Sequence, residues 1–502
     1  MSAIPDLLKI GAIPGNLAMS VETGILDPVV QNDSFVRFNM KRAGFLHSNS
    51  KIALSLKNDT LYPNAAAKAT AQRNGQHYTL PQSVGVGSLI ERVRLLSGNT
   101  VIQEIDNWGE LFAYKSQFTS NEIQKEREQY TTGRSVNLDF DFHDGVAATD
   151  PTGAQGISLD NNTEYQSEPP AFQVGGIKAD RATLRNKSVS SAATWSKDVQ
   201  RHGILSNDPV WQISISDLCP FLRQTQLPLF MFEEQIFLEI TFKEQIKRAV
   251  ANPVAVTSLV AGGNATGNPQ FTVNPVETKL IIDYITYPNE TMEAWAQANQ
   301  NFSFQYTDYE LSKFTVANDQ PAFIRNIGGA GRMVKQAIMG LQNDGGATGI
   351  DFIQNLFGGF MSFHPPGSLT LPQDGRVVTN LRYNDEFLYP IDVKNDAYHF
   401  NNVVQAEGSV PFITRQMYSD QGDEMESKRC FGGRAGWNYE SGRTFWQTAR
   451  LNDSDRINQK GIELYQQYVA QQGNIGNFTM RIWLEVVKVA TLRNGRLETE
   501  YA

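Results

Sequence analysis

Three stretches of this sequence carry residue types at spacings that chemistry uses. In DFDFHDG, Asp139, Asp141 and His143 recur at every second position, so a strand would present them on one face, with Asp144 following. Carboxylates and an imidazole grouped in this way are what a divalent cation needs. The set matches no recognised ligand spacing, however. Phe140 and Phe142 alternate with it, and the stretch reads as a strand entering a loop with its aromatics inward. GWNYESGRT, from Gly436, approaches a phosphate loop, but it has five residues between its glycines instead of four and Arg443 in place of the lysine. It reads as a turn-rich loop. Glu239 and Glu485 form the third candidate, because paired acids hydrolyse glycosides when they face each other across roughly 5–9 Å of a cleft. They stand 246 positions apart (485 − 239), in what reads below as two different domains. Each is expected on the outer or partner-facing side of its own strand. None of the six histidines sits in a recognisable Ser/Cys arrangement. No catalytic, cofactor-binding or metal residue is assigned, and nothing in the sequence requires an enzyme.

The elements that carry the two glutamates are alike. IFLEI runs from Ile236 to Ile240 and IWLEV from Ile482 to Val486. In the first, Ile236, Leu238, Ile240 and Phe242 share one face and Gln235, Phe237, Glu239, Thr241 and Lys243 the other. In the second, Phe478, Met480, Ile482, Leu484 and Val486 alternate with Thr479, Arg481, Trp483 and Glu485. This period of two is that of a half-buried antiparallel strand. A second pair of landmarks recurs at nearly the same distance. GSLIERVRLLSGN begins at Gly87 and GRMVKQAIMGLQN at Gly331, an offset of 244 (331 − 87). Two landmarks at one offset, close to half the chain, indicate a duplicated domain.

Further strands are expected at FVRFNM, KIALSLK, VIQEI, WQISI, TKLIIDYITY and RVVTNLRY, with SGN, NPQ, PPG and NDG as turns between them. Helices are few: NWGELFAYKSQF, with Asp106 as its cap and Trp108, Leu111 and Phe112 on one face, and QKGIELYQQYVAQQ near the end. Many short strands with few helices specify an all-β chain of sandwich or barrel type.

The chain has 502 residues, 40% hydrophobic and 19% charged, enough for more than one core. The net charge of −9 argues against a partner bound by phosphate neutralisation. Only Cys219 and Cys430 carry thiols, which fits a reducing compartment such as cytosol or nucleus. The start, MSAIPDLLKIGAIPGN, lacks a basic lead and is broken by Pro5 and Pro14, so no signal peptide is expected. No run reaches the ~18 apolar residues of a transmembrane segment. The expected divisions are an N-terminal arm over 1–30, a first β-domain over 31–247, a Gly/Ala/Asn/Pro-rich linker over 248–275, a second β-domain over 276–490 and a tail over 491–502. Gly145–Gly176 reads as a long surface loop.

DPVWQISISDLCPFLRQTQLPLFMFEEQIFLEITFKEQ, from Asp208, resembles the end of the first jelly roll in double jelly-roll major capsid proteins. Leu227-Pro228-Leu229 is similar to that family's turn before its final strand, Ile236 to Ile240 here. NPVETKLIIDYITYPNETMEAW resembles the start of the second roll, a long strand followed by a polar, acidic turn. SFVRFNMKRAGFLHSNSKIALSLK is similar to the first strands of capsid proteins of polinton-like viruses and virophages. The likeness runs from about Asp27 to about Arg493, and Asn121 to Ser190 and Asn343 to Pro390 match nothing in it.

The resemblance implies two tandem eight-stranded jelly rolls with a few short helices in the loops. It further implies a structural protein and no cofactor. Three copies would form a pseudo-hexameric capsomer of an icosahedral double-stranded DNA virus, a homotrimer bound to neighbouring capsomers and to penton and minor capsid proteins. Its place would be the virion, assembled in the host cytoplasm or nucleus, with no sequence-specific nucleic acid bound. A scaffold of the same fold, or a carbohydrate-binding or carbohydrate-active β-sandwich, are the other readings. The arm carries Lys9 against Asp6, Glu22 and Asp27, with apolar Leu7, Leu8, Ile10, Ile13 and Leu17. Coats that condense nucleic acid use basic arms, so this one is expected to tie capsomers together, and its deletion to weaken assembled particles in a dissociation assay.

Overall fold

A computed structural model describes residues 19–58, 78–79, 85–119, 131–132, 210–223, 227–243, 250–251, 271–273, 278–316, 322–343, 376–392, 402, 405–406, 444–451, 456–469 and 478–502. Strands form in it where apolar and polar residues alternate. The first half supplies β1 (Ser20–Leu26), β2 (Val30–Asn32), β3 (Phe35–Met40), β4 (Phe45–Leu46), β5 (Lys51–Asn58), β6 (Tyr78–Thr79), β7 (Ile90–Ser97), β8 (Thr100–Asp106), β9 (Val210–Ser214), β10 (Ile236–Phe242), β11 (Val250–Ala251), β12 (Phe271–Val273) and β13 (Lys279–Thr286). The second half supplies β14 (Asn301–Val316), β15 (Ala322–Gly328), β16 (Val334–Asn343), β17 (Arg376–Tyr383), β18 (Glu386–Phe387), β19 (Thr444–Arg450), β20 (Ile462–Val469), β21 (Phe478–Arg493) and β22 (Arg496–Tyr501). Short α-helices lie in the connections: α1 (Trp108–Thr119), α2 (Ile215–Leu218) and α3 (Asn289–Ala298).

Each half is built around two antiparallel sheets, and the first also carries the two-stranded pair β6–β11. The first half has one sheet in the order β2-β3-β10-β7-β8, and a second that runs β1-β13-β5-β12 with β4 on β13 and β9 on β5. The second half has β14-β21-β16-β19, with β22 on β21, and β15-β20-β17-β18. Apolar faces close between the sheets of each pair. Val36, Phe38, Val93, Leu95, Leu238 and Ile240 belong to the first core, and Ala337, Met339, Leu464, Met480, Ile482 and Leu484 to the second. The all-β architecture of two tandem units is the expected one.

The duplicated landmarks occupy matching places. IFLEI is β10, held between β3 and β7, and IWLEV lies in β21, held between β14 and β16. The Gly87 stretch supplies β7 and the Gly331 stretch supplies β16, each the direct neighbour of its glutamate strand. The core sheet of one half is therefore repeated in the other.

Several local expectations give way to long-range pairing. Lys279–Thr286, read as the opening strand of the second unit, lies in a sheet of the first, against β1, β4 and β5. Ser20–Leu26, read as part of an extended N-terminal arm, pairs with it along its whole length. Phe271–Val273, within the expected linker, pairs with β5. The expected tail forms the β21–β22 hairpin. Within QKGIELYQQYVAQQ, read as a helix, Ile462–Val469 is instead β20, hydrogen-bonded to both β15 and β17. Ile462, Leu464 and Gln466 are buried there and alternate with Glu463, Tyr465 and Gln467, and two flanking strands outweigh a weak helical preference. NETMEAW, read as a turn, is α3. The helix at Trp108 forms as expected, with Trp108 and Leu111 buried and Phe112 stacked on Trp108 at 4.6 Å between centroids. Asp106 ends β8 instead of capping that helix, its carboxylate 4.0 Å from Arg92.

Candidate functional site at the junction of the two halves

A cluster of buried, well-partnered polar groups, Gln103 and Asp308 among them, lies where the halves meet. β14 and β21 are each sixteen residues long, roughly three times the usual strand. They reach past their own core and cover the open end of the first. Tyr306, Ala490, Leu492 and Leu497 belong to the first half's core, with Phe302 and Phe304 packed against it. Phe221 meets Tyr306 edge-on at 4.9 Å and Phe304 at 5.2 Å.

Gln103, on β8, is the polar centre of this contact. Its amide nitrogen donates to the Thr307 carbonyl at 2.8 Å and to Oδ1 of Asp308 at 3.0 Å. Its amide oxygen accepts from Cys219 Sγ at 3.0 Å and from the Phe221 backbone N–H at 2.9 Å. Both donors and both lone pairs are thus used. Tyr306 adds a hydrogen bond from its hydroxyl to the Ile102 carbonyl at 2.8 Å. Burial, with Asp308 close by, pushes both the Cys219 thiol and the Tyr306 phenol far above their ordinary pKa values, so each stays protonated and able to donate.

The second part of the junction lies on the outer face of the β14–β21–β16 sheet. Trp483 is 1% exposed and donates from Nε1 to the Asp106 carbonyl at 3.2 Å. Lys115, on α1, reaches Glu485 at 2.9 Å and the Gln336 side-chain oxygen at 3.0 Å. Tyr309 donates to the same glutamate at 3.1 Å. Charge burial is costly unless the charges are paired and hydrogen-bonded, and here they are.

Asp308 and Glu485 respond to pH in opposite senses. Burial raises the Asp308 pKa and prevails over Lys488, 2.7 Å away, and the donors Gln103 and Tyr309. The folded state then holds that proton more tightly than the unfolded one, and its contribution to stability declines as pH rises through the folded pKa. For Glu485 burial again pushes upward, but Lys115, Lys335 and Tyr309 outweigh it and hold the carboxyl below its ordinary value. Its contribution is present above the unfolded pKa and lost as pH falls through the folded one.

A hairpin closes the far side. Asn494 and Gly495 turn β21 into β22 with φ of +49° and +79°, as a type I′ Asn-Gly turn requires. The Gly495 carbonyl accepts from the Glu233 N–H at 2.8 Å. A Cβ at Gly495 would stand 2.6 Å from Glu233 Cγ, so only glycine lets the two chains approach so closely.

Chemically, this arrangement fastens. Its carboxylates are immobilised by cations, and Glu239 and Glu485 lie in separate sheets without a shared cleft. Glu239 is held by Arg37 at 3.5 Å and Arg94 at 3.8 Å. Among the described residues no three His, Cys, Asp or Glu side chains gather as metal ligands, and no helix is long and apolar enough to cross a membrane. A cleft of about 530 Å3 opens on β15, β17 and β20, with Ile324, Phe387 and Tyr465 in its lining. Among its described lining residues Asp392 is the one carboxylate, whereas a glycosidase uses a pair. Leu7, Leu8, Ile10, Ile13 and Leu17, the Asp139–Asp144 set, Gly436, Arg443 and Cys430 lie outside the described residues.

The sequence reading passed over Gln103, Lys115, Asp308 and Lys488, which look like ordinary surface residues. One signal was available. Trp483 falls on the polar face of its strand, and a large aromatic there marks a covered surface.

No protein-family profile and no curated protein matches the chain. Solved structures do. A chain of the Sputnik virophage structure superposes with a TM-score of 0.53 at 10% identity, over 100% of this chain and 93% of that one. The PBCV-1 virus capsid matches at a TM-score of 0.48 and 12% identity, over 98% and 99%. The mavirus major capsid protein matches at 0.46 and 8%, over 100% and 93%. The Sputnik likeness spans both sheet pairs and shows that the fold is the double jelly roll.

Proposed function

We propose that this chain is the major capsid protein of an icosahedral double-stranded DNA virus. Its copies join as homotrimers, six jelly rolls forming a pseudo-hexameric tile. Neighbouring capsomers, penton proteins and minor capsid proteins are its partners. It works in the virion after assembly in the host cell. The observation that carries this reading is the buried junction: two repeated sandwiches are locked by Gln103, Tyr306, Trp483 and Glu485 into one block. A tile needs such a block, whereas an enzyme built on two domains keeps a cleft between them. The chain's task is then self-association, with no bond made or broken.

Light scattering on a sizing column tests it. The monomer is 56.0 kDa, so the purified chain is expected at about three times that mass, or in larger shells visible by electron microscopy. A strict monomer at every concentration and salt would refute the reading.

A further inference from the structure

Three lysine–carboxylate pairs among the described residues lie largely out of water: Lys488 with Asp308 at 2.7 Å, Lys243 with Glu110 at 2.8 Å and Lys115 with Glu485 at 2.9 Å. They differ in what holds the carboxylate oxygen turned away from the lysine. In Glu110 that oxygen, Oε2, has no hydrogen-bond partner among the described residues. In Glu485 the Tyr309 hydroxyl donates to Oε2, the same oxygen that Lys115 reaches. In Asp308 the far oxygen, Oδ1, accepts from Gln103 Nε2 at 3.0 Å and from the Tyr309 backbone N–H at 2.9 Å, while Oδ2 faces Lys488. Two N–H donors at that range are what an oxyanion needs when a carboxyl carbon turns tetrahedral.

The reacting groups are also placed for attack. Lys488 and Asp308 stand diagonally across the β14–β21 ladder, Lys488 opposite Tyr306 and Asp308 opposite Val486. Their side chains are 17% and 5% exposed. With Nζ at 2.7 Å from Oδ2, the amine lies roughly 3.5 Å from the carboxyl carbon, the separation of a near-attack arrangement. Burial holds the carboxyl toward its protonated form, the form from which water can leave. Arg332 and Lys488 share the Tyr501 ring, at 4.4 and 4.8 Å from its centroid, so discharging Lys488 removes one of two neighbouring cations.

We propose that Lys488 and Asp308 join in an amide bond between β21 and β14, made by the folded chain itself with loss of one water. A proton passes from Nζ to Oδ2 along their hydrogen bond, which leaves a neutral amine beside a neutral acid. The amine nitrogen attacks Cγ of Asp308 and a C–N bond forms, with negative charge collecting on Oδ1 between Gln103 and Tyr309. A second amine proton moves to the Oδ2 hydroxyl, the Cγ–Oδ2 bond breaks and water departs. No oxidant or co-reactant enters. A neutral amide then replaces two buried charges, whose removal from water is costly. Asp308 titrates only in chains not yet joined. The bond ties positions 180 residues apart. It is made once, within one chain, and does not depend on whether copies assemble.

Intact-mass spectrometry of the purified, denatured chain tests this. The expected mass is lower than that of the sequence by one water, about 18 Da. A trypsin digest should then hold a branched peptide that joins the Asp308 and Lys488 segments, with no cleavage after Lys488. Lys488→Arg keeps a cation beside Asp308, but a guanidinium that stays protonated does not attack, so that variant should show its full mass. Full mass in the unaltered, folded chain overturns the proposal. So does a one-water deficit that persists in Lys488→Arg or that maps to other residues.

Discussion

Replacing Trp483 with alanine is expected to lower the stability of the chain by about 3–5 kcal/mol, as large-to-small changes at buried aromatics do. The indole is 1% exposed and belongs to the first half's core although its strand belongs to the second. Its removal opens a cavity between the halves and also takes away the donor to the Asp106 carbonyl. Phe237 provides the comparison, since it occupies the equivalent place on β10 but is only part-buried. Phe237→Ala is expected to cost roughly 1 kcal/mol. Guanidinium denaturation followed by circular dichroism measures both. Equal losses would mean that the junction contributes no more than an open sheet face.

Lys115→Met should have an effect of similar size and a distinctive pH dependence. It leaves a largely covered carboxylate, its side chain 13% exposed, without its ion-pair partner 2.9 Å away, and breaking such pairs costs up to about 3–5 kcal/mol when they are buried. In the unaltered chain Glu485 sits below its ordinary pKa because Lys115, Lys335 and Tyr309 outweigh burial. With Lys115 gone, burial prevails and the carboxyl is expected to rise above that value. The variant then gains relative stability as pH falls, because its folded state binds a proton that the unfolded state binds less tightly. The unaltered chain loses its Glu485 contribution over the same range. The gap between the two should therefore narrow from about pH 7 to about pH 4. A constant gap across that range would show that Lys115 acts through packing of its stem and not through its charge.

What could be read in the sequence was whatever a period of two encodes. Ile236, Leu238, Ile240 and Phe242 are all buried, as their spacing requires. The recurrence of that strand near half the chain length identified the repeated sheet, and GSLIERVRLLSGN and GRMVKQAIMGLQN proved to be its neighbours. The boundaries were less legible because strand partners are chosen over long separations. Ser20 pairs with Thr286, and nothing local in SVETGIL announces that. IELYQQYV suits a helix or a strand when alone, and its two flanking strands settle the matter. The junction was the least visible. Gln103, Lys115 and Asp308 are polar residues of common type, and their importance comes from burial against partners some two hundred positions away, 204 for Gln103 with Thr307.

The sixteen-residue strands bear on how the chain comes to be made. β14 is antiparallel to β21 from Asn301 opposite Arg493 to Val316 opposite Phe478, so it emerges from the ribosome long before its mate. The first half's core borrows Ala490, Leu492 and Leu497. Translation must therefore pass nearly all of this sequence before even the first sandwich is sealed, and domain-by-domain folding during synthesis stops short. Pairings this distant are also slow to find. A product cut short before β21 would leave Phe221, Phe302 and Phe304 to water and to chaperones. Such fragments are expected to be removed by quality control, so that, on the proposed capsid reading, the order of synthesis would act as a check on what enters an assembly.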